Sequence, residues 1–346
     1  MRAFLAGAAA VVAALAVMAQ PAAACAGLIG PNGAVNLLRT TTFAGFHDGV
    51  EHYVTSFQFA GGSGQFGSLI PLPGIPDKVE RGGDWTLQRL IRETTPIRAD
   101  KGLLFRTAAA VPAPAEVILT ARIDALDITV LKGGGPEVGQ WATEHGFRLP
   151  ADAPEVLDFY ANRSPIFMAA VFDADAAKAR GQRVGDGTPV HVTIPTANPW
   201  VPLRILGLGK QAADRVDADV YLLTDTFPSF LPYPGGNGMR LDHYGPATNS
   251  LLDDLRSDKG MDWVPAHAWL TKIAIDAAAG QLTYDLAVDV KGARPSRVSA
   301  GLELPASPSA PAAPATGNYD AYVLIGAAIA AIGAIALLRK PLQVRA

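Results

Sequence analysis

Apolar residues recur along this chain mostly in short runs or in alternation with polar ones, and only in a few places at helical spacing, so strands are predicted more often than helices. Leu38–Phe46 and Val50–Phe59 flank Asp48-Gly49, a dipeptide suited to a two-residue hairpin turn. Gly67–Leu72 is a third apolar run, ended by Pro71, Pro73 and Pro76. Further strands are predicted over Val117–Ala121, Ile123–Val130, Ile166–Phe172, Val190–Ile194, Leu203–Leu206 and Val220–Thr224. Trp269–Asp276 and Leu282–Val288 read as a closing strand pair joined at Gly280. Helices enter singly. Asp84 is placed to cap one over Trp85–Glu93, whose Trp85, Leu87, Leu90 and Ile91 share a face. Pro136 opens a second, which runs to His145 and is closed by Gly146; the others cover Pro154–Asn162 and Ala247–Arg256. There is no internal repeat and no regular βα alternation, so the expected fold is α+β, a β-rich body with singly inserted helices. Gly133-Gly134-Gly135 marks a weak division within it.

The two ends follow other rules. Met1-Arg2 precedes an uncharged run from Ala3 to Ala19, and Gln20-Pro21 then leads into Ala22-Ala23-Ala24, so residues 1–24 are expected to be a secretory signal peptide. Cleavage after Ala24 makes Cys25 the first mature residue, either lipidated or left as a free thiol; Ala22 stands where a lipobox carries a branched apolar residue. At the other end, residues 321–338 carry no charge and span ~27 Å as a helix, against a hydrocarbon core of ~30 Å. A transmembrane helix is therefore expected over 319–338, followed by a basic tail, 339–346, containing Arg339, Lys340 and Arg345. That order places the body outside the membrane and the C-terminus in the cytoplasm. Pro305, Pro308, Pro311 and Pro314 make 303–318 an extended Pro/Ala-rich stalk, leaving 25–302 as the exported body. Ala313-Pro314-Ala315-Thr316-Gly317, ahead of an apolar span and a basic tail, resembles the cell-wall sorting signal read by sortases, with Ala313 where that pattern has Leu. The resemblance implies a cut between Thr316 and Gly317 and linkage to the wall; a permanent membrane anchor is the other outcome.

Composition narrows the partners. Of 346 residues, 18% are charged, and the total of −3, less Arg2 and a net +2 after residue 318, leaves −6 on the body and stalk. With no basic block, nucleic acid is not an expected partner. A single cysteine excludes an internal disulfide framework and any multi-cysteine metal centre.

Ala24-Cys25-Ala26-Gly27 follows the signal, and Ser68-Leu69-Ile70-Pro71-Leu72-Pro73 and Trp141 with Gly146-Phe147-Arg148-Leu149-Pro150 come after it. Tyr160, Phe167–Phe172 and Pro199-Trp200-Val201-Pro202-Leu203-Arg204 complete the set. Together these segments, from Ala24 to Asp225, are similar to a bacterial family, the domain of unknown function 2330 (DUF2330). Family members often carry further cysteines, which this chain lacks. The resemblance implies an exported envelope protein and assigns no catalytic residue.

The residues themselves offer little complete chemistry. Six histidines are present, at 47, 52, 145, 191, 243 and 267, and the densest group is His47-Asp48-Gly49-Val50-Glu51-His52. Across a two-residue turn His47 pairs with Val50 and His52 with Gly45, so the two rings do not meet directly, and both read as exposed turn histidines rather than metal ligands. Gly61-Gly62-Ser63-Gly64-Gln65 lacks the last glycine of a nucleophile elbow, and Gly207-Leu208-Gly209-Lys210 reads as a turn. Asp217, Asp219, Asp254, Asp258 and Asp262 read as solvated turn and helix-end carboxylates. Tyr233–Gly238, with Phe227, Phe230 and Tyr244, is expected to be an ordinary loop beside core aromatics; a ligand edge is the alternative. No cofactor or metal site is assigned, and the catalytic residues, if any, are not identified. The expected function is a non-catalytic module that binds an envelope protein or glycan; an envelope enzyme with scattered catalytic residues is the competing class.

Overall fold

Asp48 and Gly49 both take positive φ, 50° and 81°, the left-handed pair that a tight hairpin turn demands. They join β4 (Arg39–His47) to β5 (Val50–Gln58), with His47 opposite Val50 and His52 opposite Gly45, as the sequence register requires. The computed structural model describes residues 22–23, 27–30, 33–34, 39–58, 64–95, 117–183 and 187–305. Before the hairpin come β1 (Ala22–Ala23), β2 (Gly27–Gly30) and β3 (Gly33–Ala34). After it come β6 (Gln65–Pro71), β7 (Lys78–Arg81), α1 (Thr86–Thr94), β8 (Val117–Ile123), β9 (Leu126–Lys132), α2 (Gly135–Glu144) and α3 (Ala153–Ala161). The chain continues with β10 (Ile166–Asp173), α4 (Ala174–Ala179), β11 (Gly187–Pro195), β12 (Trp200–Val201), β13 (Arg215–Thr224) and β14 (Ser229–Leu231). It closes with β15 (Met239–Pro246), α5 (Asn249–Ser257), β16 (Trp269–Ala278) and β17 (Leu286–Asp289).

These strands form three sheets. The largest has the order β15-β16-β13-β4-β5-β11-β7, with β1 added against β4; the second is β3-β2-β6-β10-β9-β8, and the third is β12-β17-β14. All pairs are antiparallel except β13 with β4 and β1 with β4. Tyr53, Val192 and Val220 of the large sheet face Ile70, Ile128 and Met168 of the second sheet and Val201, Phe230 and Leu286 of the third, in one buried core. On the far side of the second sheet, Leu69, Leu131 and Phe167 pack against Trp141 of α2 and Leu157 and Tyr160 of α3. On the far side of the large sheet, Phe43, Val54 and Tyr221 pack against Leu90 of α1 and Leu251, Leu252 and Leu255 of α5. The layering is therefore helices, sheet, sheet, helices. β10 shows the consequence in sequence: it is covered on both faces, so Ile166–Phe172 reads as an unbroken apolar run.

The β-rich α+β expectation holds, with local corrections. Leu203–Leu206 is not a strand but part of a 3-10 turn, Arg204–Gly207, because the Asp285 carboxylate takes the Leu203 and Arg204 N–H groups while the Tyr160 hydroxyl takes that of Ile205. Trp269–Ala278 does not pair with the segment after Gly280. It lies between β13 and β15, and β17 joins the small third sheet instead. The β8–β9 boundary falls at Asp124 (φ 65°), two residues beyond the predicted break. Nor does Asp84 cap α1: its carboxylate binds Arg81 at 2.6 Å, and the cap comes from Asp258, 174 residues away, which accepts from the N–H groups of Asp84, Trp85 and Thr86.

The described residues up to Leu304 belong to one compact unit. Among the described residues no helix is long and apolar enough to cross a membrane. The span expected over 319–338, the stalk beyond Pro305, and the signal segment apart from Ala22–Ala23 lie outside the described residues.

Candidate functional site

At the edge of the large sheet, β15 and the chain between β13 and β14 bring aromatic side chains together at the surface. Trp269, half-buried at the start of β16, meets Phe227 and Tyr244 edge-on, with ring centroids 6.2 Å and 5.0 Å apart; Tyr244 meets Phe230 in the same way at 6.3 Å. Phe230 is buried as the sequence suggested, but Phe227 is 67% exposed, Tyr233 70% and Tyr244 42%. Reading Phe227, Phe230 and Tyr244 as core aromatics is thus corrected for Phe227 and Tyr244. The rings are held by backbone. Tyr244 donates its hydroxyl to the Pro228 carbonyl at 3.0 Å, the Gly235 N–H donates to Met239 and the Met239 N–H to Gly236. Tyr284 pins the same loop by donating to the Asn237 carbonyl. Burial, and then the neighbouring Tyr233, raise the Tyr244 phenol above its ordinary pKa. An Arg240–Asp242 ion pair (2.6 Å) lies on the same edge strand.

Three strands in from Trp269, the sheet holds a different kind of site. Trp269, Thr224, Phe46 and Glu51 occupy one rung across β16, β13, β4 and β5. The Glu51 side chain is buried between the large and third sheets, in a small pocket lined also by Phe46, Trp200, Leu222, Thr224 and Val288, with about 10 Å³ of room for a water-sized centre. Neither carboxylate oxygen has a hydrogen-bond partner. Burial pushes the Glu51 pKa up to about 8, offset in part by the backbone of Trp200, which approaches without forming a hydrogen bond of ordinary geometry.

On the opposite face of the same sheet sits a histidine pair. His52 Nδ1 lies 3.1 Å from His191 Nε2, and the Trp263 ring stacks on His52 at 3.8 Å and 6°. The indole fits because Gly45 stands beneath it: a Cβ there would come within 2.0 Å of the Trp263 ring. Glu80 Oε1 is 3.7 Å from His191 Nδ1, too far for a hydrogen bond, and that nitrogen is buried without a partner. Burial, then His191 and His47, lowers the His52 pKa to about 3; burial lowers that of His191 to about 4. Both rings are therefore neutral at pH 7. His52 is not the exposed turn histidine its sequence position implied. His191 lies 139 residues further on, and only the β5–β11 pairing brings the two together.

Residues 19–227 match the family described as "Uncharacterized protein conserved in bacteria (DUF2330)". The chain belongs to this family. No curated protein matches it. Among solved structures it is similar to baculovirus P35, at a TM-score of 0.36 and 8% identity over 72% of this chain and 96% of that one. Two structures of a mutated baculovirus P35 after caspase cleavage align with TM-scores of 0.33 and 0.35, each at 7% identity and covering 94% of that chain and 73% and 71% of this one. At that level the likeness carries no inference.

Within the DUF2330 chain, the motif residues Tyr160 and Pro199–Arg204 serve a buried network rather than a surface. Asp285 is fully buried and accepts from the Tyr160 hydroxyl (2.9 Å), the Leu203 and Arg204 N–H groups (2.7 and 3.0 Å) and the Arg163 guanidinium (2.5 Å). Arg163 also lies over the rings of Phe159, Tyr160 and Trp200. The other sequence candidates scatter. His47 is held between two carboxylates, with Nδ1 2.6 Å from Asp225 and Nε2 3.4 Å from Asp48, so an ion shared by the three would have to displace one of these contacts. Asp217 and Asp219 are strand residues paired with Arg215 and Lys272, Asp254 binds Arg89, and Asp258 is the buried cap of α1 rather than a solvated turn residue. His145 stacks on Trp141. Gly209 donates its N–H to Asp152, as befits a turn. Ala24, Cys25, Thr316 and Gly317 lie outside the described residues.

Proposed function

We propose that this chain is an exported, membrane-anchored envelope protein whose body binds a glycan and catalyses no reaction. The observation that carries this reading is the exposed aromatic edge formed by Phe227, Tyr233, Tyr244 and Trp269. A sugar ring presents an apolar C–H face ringed by hydroxyls, and an aromatic ring offers the negative face of its quadrupole to such C–H groups. A stable protein partner needs roughly 800 Å² from each side, more than a few separate rings set edge-on provide.

Export rests on residues 1–24 and anchoring on 319–338, with the stalk 303–318 holding the body away from the membrane and the tail 339–346 in the cytoplasm. The alternative end product is a wall-linked chain cut between Thr316 and Gly317. The intact mass of the mature protein from its native cells separates the two: a chain reaching Ala346 supports the membrane anchor, and one ending at Thr316 with wall material attached replaces it. The same mass shows whether Cys25 carries lipid.

The binding reading is tested by sedimenting the purified full chain, in detergent, with cell walls from its own cells. It predicts that the protein pellets with the walls and that Phe227→Ala with Tyr233→Ala leaves it in the supernatant. Equal pelleting of both proteins would reject the aromatic edge as the binding surface.

The competing reading, an envelope enzyme, draws its support from the His52–His191 pair next to Glu80. Turnover of an envelope substrate by the purified chain, lost in His191→Ala, would establish it.

A further inference from the structure

The Glu51 pocket asks for an occupant that the fold itself does not supply. The same core satisfies the Asp285 carboxylate with four donors, so this architecture can pair a buried carboxylate where one is structural. Glu51 is 1% exposed and both its oxygens lack donors, an arrangement that costs stability unless something enters to relieve it. Four properties define what enters. It donates hydrogen bonds, because the ionised Glu51 carboxylate offers only acceptors. It is small, because the pocket has about 10 Å³ of room for a water-sized centre. It carries positive charge if it is to be preferred over water, because it must stabilise an ionised carboxylate out of reach of solvent. It tolerates an apolar wall, because apart from Glu51 and Thr224 the lining side chains (Phe46, Leu222 and Val288 among them) are hydrophobic or aromatic.

We propose that the Glu51 pocket is a binding site for an ammonium group, either the free ion or the –NH3+ head of a primary amine. The nitrogen takes the water-sized centre and donates to the Glu51 oxygens, and Thr224 Oγ1, already donating to the Thr226 carbonyl, accepts another of its protons. A quaternary ammonium has no proton to donate and is too large for the space. This site goes beyond glycan binding at the aromatic edge and does not depend on it.

The test is 13C NMR of the Glu51 carboxyl in the full chain labelled at glutamate, with the resonance assigned by its absence from Glu51→Gln. The titration is followed in sodium chloride and then, at equal ionic strength, in ammonium, methylammonium and tetramethylammonium chloride. The proposal predicts that ammonium lowers the Glu51 midpoint by about one pH unit, equivalent to about tenfold preference for the ionised site. Tetramethylammonium is expected to leave it where sodium does. If methylammonium acts like ammonium, the ligand is an amine head group; if only ammonium acts, it is the free ion. The same midpoint in all four salts, the result for a pocket that holds only water, would overturn the proposal. Should Glu51→Gln fail to fold, Glu51→Asp provides the assignment, and the comparison of salts on the unsubstituted protein decides the matter without either variant. Phe227→Ala is expected to leave the ammonium effect unchanged, so this site and the aromatic edge stand or fall separately.

Discussion

Glu51 and Asp285 are the most deeply buried carboxylates among the described residues, and they are treated in opposite ways. Asp285 receives a guanidinium, a phenol and two backbone N–H groups, and through them it ties α3 to the turn after β12 and to β17. Glu51, equally hidden, receives no hydrogen bond of ordinary geometry. Burial alone therefore does not reveal a role; the state of the hydrogen bonds does. A carboxylate whose acceptors are all used is part of the scaffold, and one whose acceptors are empty inside a pocket is available to a ligand.

The comparison breaks if Asp285 proves dispensable. Arg163→Ala leaves a buried charge without its partner and is expected to cost about 3–5 kcal/mol in denaturant unfolding. Asp258→Ala comes next. It strips the acceptor from three N–H groups at the start of α1, and an expected loss of about 1–3 kcal/mol shows as a lowered urea midpoint.

Acidity sharpens the contrast further. Glu51 has a folded pKa of about 8 against 4.5 for the free side chain, so above pH 4.5 the folded state holds a proton that the unfolded state has released. Stability contributed by this group is full below pH 4.5 and falls by roughly 1.4 kcal/mol per pH unit as pH rises to about 8. His52 and His191 act in the reverse sense. Their folded pKa values of about 3 and 4 lie below 6.5, so below pH 6.5 the unfolded state binds protons that the folded state refuses, and stability falls as pH drops toward 4. Between pH 6.5 and 8 Glu51 acts without the histidines. Glu51→Gln is expected to flatten the pH dependence of the urea midpoint there, and His191→Phe to flatten it below pH 6. The smallest stability effect is expected at the aromatic edge, where Phe227→Ala and Tyr233→Ala each shift unfolding by less than about 0.5 kcal/mol while removing wall binding.

What could be read in advance follows from how local each feature is. The β4–β5 hairpin, its register and the α2 and α3 helices are written in short-range signals: Asp48-Gly49, Pro136, Gly146 and Pro154. β15 was missed because it is an edge strand in which Arg240, Asp242 and His243 interrupt the apolar alternation, with a bulge after Leu241. The strand assigned to Leu203–Leu206 failed because its backbone is claimed by Asp285, more than 80 residues downstream. The candidate sites divide in the same way. Phe227, Tyr233 and Tyr244 are all named in the sequence, and only the exposure of Phe227 and Tyr244 departs from the reading of them as core rings. Glu51 gave no sequence signal, since one glutamate between Val50 and His52 looks like the polar half of a strand. Its isolation arises from the third sheet laid over it, which unites Trp200–Val201 with Leu286–Asp289.

The central claim is that the aromatic edge binds a glycan, and Trp269 reports on it directly. Tryptophan fluorescence of the full chain is recorded during titration with solubilised wall glycan, alongside Trp269→Phe as the subtraction. The account predicts a saturable shift to shorter wavelength in the native protein that disappears in Trp269→Phe and in Phe227→Ala with Tyr233→Ala. No saturable change, or one that persists undiminished in all the variants, would contradict it.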